Sequence, residues 1–250
     1  MRIVTWNILS GMPVRPGADL FAAINDLNAD VLAIQEVDYL QPRSNSIKTV
    51  ELIAEKCNYS NWAFAPALKG TPGAQWIASD EFINNKSNRN LQTSYGIGLL
   101  SRAAVKDWHR LSLNKSPVGL PLAITSDKGT KISYVTDEPR AAIAAVLESG
   151  LTVITAHLSF VPPVNTKQLK KIKNWADTLP GKKVFIGDFN ALIFGKAGLN
   201  SLNNAKSYPG WNPKAKFDYI LSNEVKANQL DFTYSGVSDH LPIGIEIKEF

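Results

Sequence analysis

The sequence predicts an α/β protein with mixed sheets, and three observations carry that prediction. Short, apolar, β-branched runs bounded by turn residues recur at 2–6, 31–35, 96–100, 151–156, 183–187, 217–221 and 242–247, as buried strands do. Helical patterns interrupt them at 18–28, 46–57 and 165–178. Strands that alternate with helices in some places and pair like hairpins in others imply layered sheets of mixed direction.

The elements follow in order. Arg2-Ile3-Val4-Thr5-Trp6 opens the chain as a strand and runs into Asn7. No charged and apolar leader precedes it, so no export signal is expected. Residues 131–135 add a further strand, and 140–147 is strand or helix, its alanines serving either. On 165–178, Leu169, Ile172, Ala176 and Leu179 share one face, and Lys167, Lys170, Lys171 and Lys173 form a solvated one. Residues 70–93 and 203–216 mix Gly, Pro, Ser and Asn with isolated aromatics and have no period. They read as long loops and as candidates for substrate contact. In them Trp76, Phe82 and Trp211 are expected to anchor the loops, with base stacking as the alternative use.

Bulk properties narrow the class. The chain has 250 residues, 44% of them hydrophobic, which suits a single domain spanning 1–250. A formal charge of +5 favours an anionic partner without the basic runs of a nucleic-acid tail. The lone Cys57 excludes an intrachain disulfide and a cysteine zinc cluster, reads as core filler, and points to the cytoplasm. No apolar stretch is long enough to span a bilayer.

Polar residues suited to metal, acid–base or phosphate chemistry stand where buried strands run out. Asn7, Glu36 and His157 each follow an apolar run, Asp188 and Asn190 follow Val184-Phe185-Ile186-Gly187, and Asp218 lies in Phe217-Asp218-Tyr219-Ile220-Leu221. Ser238-Asp239-His240-Leu241-Pro242 precedes the last strand. One such residue alone is usually a turn former or helix cap. Here two of the three histidines share the pattern with four carboxylates, and His109 beside Trp108 is left as a surface or core group. Oxygen ligands of this kind suit Mg²⁺, which keeps several waters and accepts substrate phosphate. Widely separated histidines do not suit structural zinc, and no phosphate loop or dinucleotide fingerprint occurs.

Thr5-Trp6-Asn7, Gln35-Glu36-Val37-Asp38, Tyr95-Gly96-Ile97-Gly98-Leu99-Leu100-Ser101-Arg102, Ala156-His157-Leu158, Gly187-Asp188-Phe189-Asn190, Phe217-Asp218-Tyr219-Ile220 and Ser238-Asp239-His240-Leu241-Pro242 together resemble the endonuclease/exonuclease/phosphatase superfamily. The resemblance spans nearly the whole chain. It implies a four-layer α/β (α+β) sandwich, two mixed β-sheets face to face with helices outside. It also implies Mg²⁺, with Mn²⁺ as a substitute, held by Glu36 with Asn7 and Asp239. By the same resemblance Asp188 orients or deprotonates water, Asn190 holds a phosphate oxygen, and His240 contacts the scissile phosphate with Asp218 fixing its ring. His157 would lie beside the leaving group. Arg43 is a candidate contact to substrate phosphate, whereas Arg140 reads as a surface residue.

The expected activity is hydrolysis of a phosphate ester, foremost a phosphodiester of nucleic acid or a nucleotide-derived ester, by a cytoplasmic monomer. A phosphatase or phospholipase-like hydrolase of a small or lipid head group is the alternative. A catalytically silent binding scaffold is a third reading, and it would normally have lost one of these ligands.

Overall fold

The computed structural model describes residues 1–87, 90–126, 129–190 and 196–249. The chain runs β1 (Arg2–Asn7), α1 (Leu20–Leu27), β2 (Val31–Tyr39), α2 (Thr49–Lys56), β3 (Asn61–Gly70), β4 (Trp76–Ala78), β5 (Ile83–Asn84), β6 (Ser94–Ser101) and β7 (Val105–Leu113). It continues through β8 (Leu120–Ser126), β9 (Gly129–Val135), β10 (Arg140–Leu147), β11 (Leu151–His157), α3 (Val164–Ala176), β12 (Lys182–Asp188), β13 (Asp218–Leu221), β14 (Lys226–Leu230) and β15 (Ile243–Glu249).

An eight-stranded sheet runs β14-β15-β1-β2-β6-β3-β4, with β5 also on β3, and a five-stranded sheet runs β13-β12-β11-β10-β7. Both are mixed: β1 and β2 are parallel, as are β11 and β12, whereas the pairs flanking them are antiparallel. The strands β8 and β9 form a separate two-stranded hairpin.

Strand alternation builds the layers. In β1, Ile3 points between the sheets while Val4 and Trp6 point to the outer face covered by Leu20, Ile24 and Leu27 of α1 and Val50 and Ile53 of α2. The facing sheet places Ile143, Val153, Val184 and Ile186 against Ile3, Val31, Ala33, Ile97 and Leu99. Its far side packs Ala142, Ile154 and Phe185 under Leu169, Ile172 and Ala176 of α3. The result is the expected helix–sheet–sheet–helix sandwich. Small residues bring the sheets close, and Gln35 ties them by donating to Thr5 Oγ1 at 2.9 Å and to Thr155 Oγ1 at 3.2 Å.

Local chemistry sets the helix ends where it can. Asp19 Oδ1 caps α1 by accepting from Phe21 N at 2.8 Å and Ala22 N at 3.1 Å, and Asn28 closes it in the left-handed region.

Several expectations are corrected. Of the two readings open for 140–147 the strand is the one observed, buried along its whole length because both of its faces meet packed layers. Residues 70–93 are not loop throughout: β4 and β5 lie within them and pair with β3. The strand β3 itself was masked by Pro66, which the sheet accommodates beside a register shift between Pro66 and Leu68. The strands β7 and β14 are also additions, with charged residues on their exposed faces hiding the period. The lysines 167, 170 and 171 are exposed as expected, and Cys57 is buried. Among the described residues no helix is long and apolar enough to cross a membrane.

Candidate functional site

The parallel pairs β1/β2 and β11/β12 end at the same edge of the sandwich, and that edge carries the site. Asn7 ends β1, and His157 and Asp188 end β11 and β12 as register partners. Asp218 starts β13 opposite Asp188. The segment Ser238 to His240 lies over β1, where Ser238 Oγ donates to Asn7 O at 2.6 Å and Trp6 Nε1 donates to His240 O at 2.9 Å.

Glu36 reaches the site through a β-bulge. Against β6, Ile34 pairs with Gly98 and Val37 with Gly96, so Gln35 and Glu36 together oppose Ile97. Core-facing parity switches across this point, from Leu32 and Ile34 before it to Val37 and Tyr39 after it. Glu36 is the extra residue, held at φ +54°, and the bulge turns its carboxylate out of the alternation and into the cleft.

Asp188 depends on the glycine before it. Gly187 has φ +145°, and a Cβ there would lie 2.0 Å from Ala156 O on the neighbouring strand. Gly187→Ala is therefore expected to destabilise the fold by about 3 kcal/mol or more, read from chemical denaturation, because neither backbone can yield without breaking the β11/β12 ladder.

Asp188 is the hub. Its Oδ2 accepts from Asn7 Nδ2 at 3.0 Å and lies 3.6 Å from His157 Nε2 and 3.8 Å from His240 Nε2. Its Oδ1 accepts from Asn190 N at 3.0 Å. Asn7 Nδ2 also donates to Glu36 Oε1 at 2.9 Å, and Asn7 Oδ1 accepts from Leu9 N at 3.1 Å. As placed, the Asn7 amide clamps two carboxylates together through its NH₂ group. Asn190, at φ +51°, donates through Nδ2 to His157 Nε2 at 2.9 Å and to Leu158 O at 3.0 Å.

On the other side, His240 Nδ1 and Asp218 Oδ2 are 2.7 Å apart, and both groups are buried. Burial opposes charge on His240, but Asp218, Asp188 and Asp239 outweigh it and push its pKa up to about 10. The surrounding carboxylates thus favour the imidazolium form of His240. His157 is the opposite case, since burial and then Arg140 and His240 drive its pKa well down. In its neutral form His157 can accept from Asn190 through Nε2 with its proton on Nδ1.

The carboxylates are short of positive charge. Burial and then Asp239 raise Glu36, and burial and then Asp218 raise Asp188 to about 7. Oxygen donors drawn together against their own repulsion are what a hard divalent cation stabilises, so the donor set fits one. Asp188, Asp218 and His240 also hold ligating atoms within 4.8 Å of one another. The 2.7 Å contact of His240 with Asp218 engages one oxygen of that carboxylate, and the other, Oδ1, is buried without a hydrogen-bond partner.

A cleft of 480 Å³ opens over these residues, lined by Glu36, Tyr95, Arg140, His157, Asp188, Asn190 and His240 among others. Arg140 corrects its sequence reading as a surface residue. It is 8% exposed because β10 is an inner strand and its first residue faces the cleft. Its Nη2 contacts Asp137 Oδ1 at 3.3 Å, and its Nε has no hydrogen-bond partner. The sequence did carry a signal, an arginine at a strand start, but burial belongs to packing. Tyr95 was likewise missed as a lining residue.

Arg43 lies beside the site in a fixed pose. It donates to Asp38 from Nε at 2.9 Å and from Nη2 at 2.7 Å, donates to Ser10 Oγ at 3.0 Å, and sits over the Tyr95 ring. Of the loop aromatics, Phe82 packs on the inter-sheet core, Trp76 meets Lys115, and Trp211 stands edge-on to Tyr234. His109 lies 3.2 Å from Asp107 on the outer strand β7, away from the cluster.

The profile of the Endonuclease/Exonuclease/phosphatase family matches residues 4–240. No curated protein matches the sequence. Among solved structures, an endonuclease/exonuclease/phosphatase family protein from Leptotrichia buccalis is 17% identical, with 100% of both chains covered and a TM-score of 0.63. The endonuclease/exonuclease/phosphatase from Beutenbergia cavernae is 17% identical over 99% of this chain and 71% of that one, with a TM-score of 0.63. The human Nocturnin catalytic domain with bound sulfate anion is 16% identical over 99% of this chain and 93% of that one, with a TM-score of 0.56.

Proposed function

The chain belongs to the endonuclease/exonuclease/phosphatase family and is a metal-dependent phosphoesterase, and from that premise we propose that it is a Mg²⁺-dependent phosphodiesterase of nucleic acid or a nucleotide-derived ester. One observation carries the reading: Asp188 Oδ2 is met by Asn7 at 3.0 Å, His157 at 3.6 Å and His240 at 3.8 Å, from three different segments of the fold. Three functional groups converging on one oxygen in a cleft build a reaction centre.

Glu36 and Asp239 are the ligands we assign to the ion, with Asn7 holding Glu36 and Asp188 in place. Bound there, Mg²⁺ or Mn²⁺ would supply Lewis-acid polarisation of a phosphate oxygen. Asp188 orients the attacking water and takes its proton. His240, kept cationic by Asp218, faces the charge that develops on the phosphate oxygens. Asn190 would donate to a phosphate oxygen in exchange for its hydrogen bond to His157 Nε2, and neutral His157 lies on the leaving-group side. The chain is proposed to act as a cytoplasmic monomer of one domain.

Arg140 supplies a second cation. Its unpartnered Nε and its place in the lining suit a phosphate oxygen, and a diester brings such an oxygen into the cleft. Arg140→Gln is expected to raise KM for a diester about 10- to 100-fold with a smaller change in kcat, since a charge-assisted hydrogen bond is worth roughly 1.5–3 kcal/mol.

The test is a panel of single-stranded and supercoiled DNA, RNA, bis-p-nitrophenyl phosphate, p-nitrophenyl phosphate and phospholipid, with Mg²⁺ or Mn²⁺. Diesters hydrolysed in preference to the monoester support the reading. Turnover confined to the monoester, or none on any substrate, overturns it.

A further inference from the structure

Two residues at the centre of the site depend on strained backbone. Asn7 leaves β1 into a turn in which Leu9, Ser10 and Gly11 stand consecutively in the left-handed region, at φ +47°, +60° and +69°. Glycine adopts such angles freely, whereas leucine and serine do so at a cost in free energy. What the turn provides is the Leu9 N–H, which donates to Asn7 Oδ1 at 3.1 Å. An N–H can only donate, so it selects the amide oxygen and turns Asn7 Nδ2 toward Glu36 Oε1 at 2.9 Å and Asp188 Oδ2 at 3.0 Å. Glu36 is the second case, held at φ +54° in the bulge of β2.

One buried ion pair reaches both strained segments. Asp38, two residues beyond Glu36, is 0% exposed and takes a guanidinium fork, with Arg43 Nε on Oδ2 at 2.9 Å and Arg43 Nη2 on Oδ1 at 2.7 Å. The buried Ser10 hydroxyl closes the triangle, accepting from Arg43 Nη2 at 3.0 Å and donating to Asp38 Oδ1 at 3.2 Å. Arg43 lies in the short helical turn Pro42–Ser44. The preceding Gln41 fixes that turn by donating through Nε2 to Gly70 O at 2.7 Å and Ser94 O at 3.2 Å. The pair therefore fastens the exits of β1 and β2 to β3 and β6. Buried ion pairs add little net stability over well-packed apolar residues, so stability alone does not account for this one.

We propose that Arg43, Asp38 and Ser10 form a positioning brace. It holds the left-handed turn that aims the Asn7 amide, and through that amide it keeps Glu36 and Asp188 together where a divalent cation would bind. The inference rests on the metal-dependent reading of the site, and it gives Arg43 a role other than contact with substrate phosphate. Partners behind a ligand commonly set metal affinity or activity by about 10- to 100-fold without touching the ion.

The experiment is calorimetric titration of Mn²⁺ into chelator-treated protein, beside kinetics on bis-p-nitrophenyl phosphate and thermal melting. Ser10→Ala leaves the Arg43–Asp38 pair in place and is expected to melt close to wild type. It should still weaken Mn²⁺ binding about tenfold and lower kcat at limiting Mn²⁺ by a similar factor, with KM for the ester unchanged. Ser10→Gly, which takes φ +60° without strain, should recover most of that loss. Arg43→Gln combined with Asp38→Asn, which leaves no buried charge unpaired, is expected to lose at least as much as Ser10→Ala. In an Asn7→Ala background Ser10→Ala should add nothing, because it acts through that amide.

Folded variants that bind Mn²⁺ as wild type does, a Ser10→Gly no better than Ser10→Ala, or losses from Ser10→Ala and Asn7→Ala that multiply would each overturn the inference and leave the phosphoesterase reading intact. A raised KM with unchanged Mn²⁺ affinity in the Arg43 variant would overturn it in favour of Arg43 as a phosphate contact. Wild type that binds Mn²⁺ in a Ser10-dependent way but hydrolyses no ester would support the brace and defeat the phosphodiesterase reading alone. Absence of Mn²⁺ binding to wild type would defeat the metal-dependent reading, and the brace with it.

Discussion

Glu36→Gln is expected to lower kcat on a diester by about 10³-fold or more, because the loss of metal-assisted charge stabilisation removes several kcal/mol at the transition state and each 1.36 kcal/mol is a factor of ten. The substitution is nearly isosteric. It keeps the hydrogen bond that Asn7 Nδ2 donates to the Glu36 side chain at 2.9 Å, since the amide oxygen accepts as the carboxylate does. It also relieves repulsion from Asp239, which contributes to raising the Glu36 pKa. Glu36→Gln should therefore fold as stably as the parent while losing turnover, and steady-state kinetics beside thermal melting would separate the two. A variant that melts as wild type and retains more than about a tenth of kcat would remove Glu36 from the mechanism.

The second large effect is expected at His240 and Asp218. His240→Ala should lower kcat about 10³-fold, since general acid–base and electrostatic contributions of one group commonly amount to 10²–10⁴-fold. Asp218→Asn should cost somewhat less, because the amide still meets Nδ1 but no longer favours the imidazolium. The two groups are 2.7 Å apart and buried, so they act as a unit. The double variant is expected to be little worse than His240→Ala alone, as coupled catalytic groups are strongly non-additive. Rate losses that multiply across the pair would show that Asp218 works independently of the ring. Removing Asp218 also leaves Asp188 with one fewer carboxylate neighbour, so rates alone should be read beside a melting curve.

The sandwich was legible in the sequence because its inner strands are apolar on both faces. Runs such as Val31 to Gln35 and Val153 to Ala156 declare themselves without partners. Among the strands missed were β4 and β5 inside a segment read as loop, β3, interrupted by Pro66, and the outer strands β7 and β14, whose charged faces mimic loop composition. Their existence is decided by what pairs with them, and that information is not local. The hairpin β8/β9 was half seen, as 131–135, and its position beside the cleft could come only from the tertiary arrangement.

Asn7, His157, Asp188 and Asn190 stood out because a polar group followed an apolar strand, and the fold gathers those strand ends at one edge; Glu36 was read the same way, but β2 continues to Tyr39 and Glu36 lies within it. The bulge at Glu36 was not legible. It depends on two residues of β2 opposing one of β6, a register that no single segment encodes. Nor was the pose of Asn7, whose NH₂ group bridges Glu36 and Asp188 instead of presenting oxygen to the cleft. Arg140 was misjudged for a related reason. An arginine beside Glu138 and Pro139 has the composition of a surface turn, yet its strand starts under the cleft and buries it.

The proposed hydrolysis needs a divalent cation held through Glu36, and calorimetric titration of Mg²⁺ or Mn²⁺ into chelator-treated protein tests that most directly. Saturable binding by wild type and by His240→Ala, abolished in Glu36→Gln, is the predicted result. Absence of binding to wild type, or binding that Glu36→Gln leaves unchanged, would contradict it.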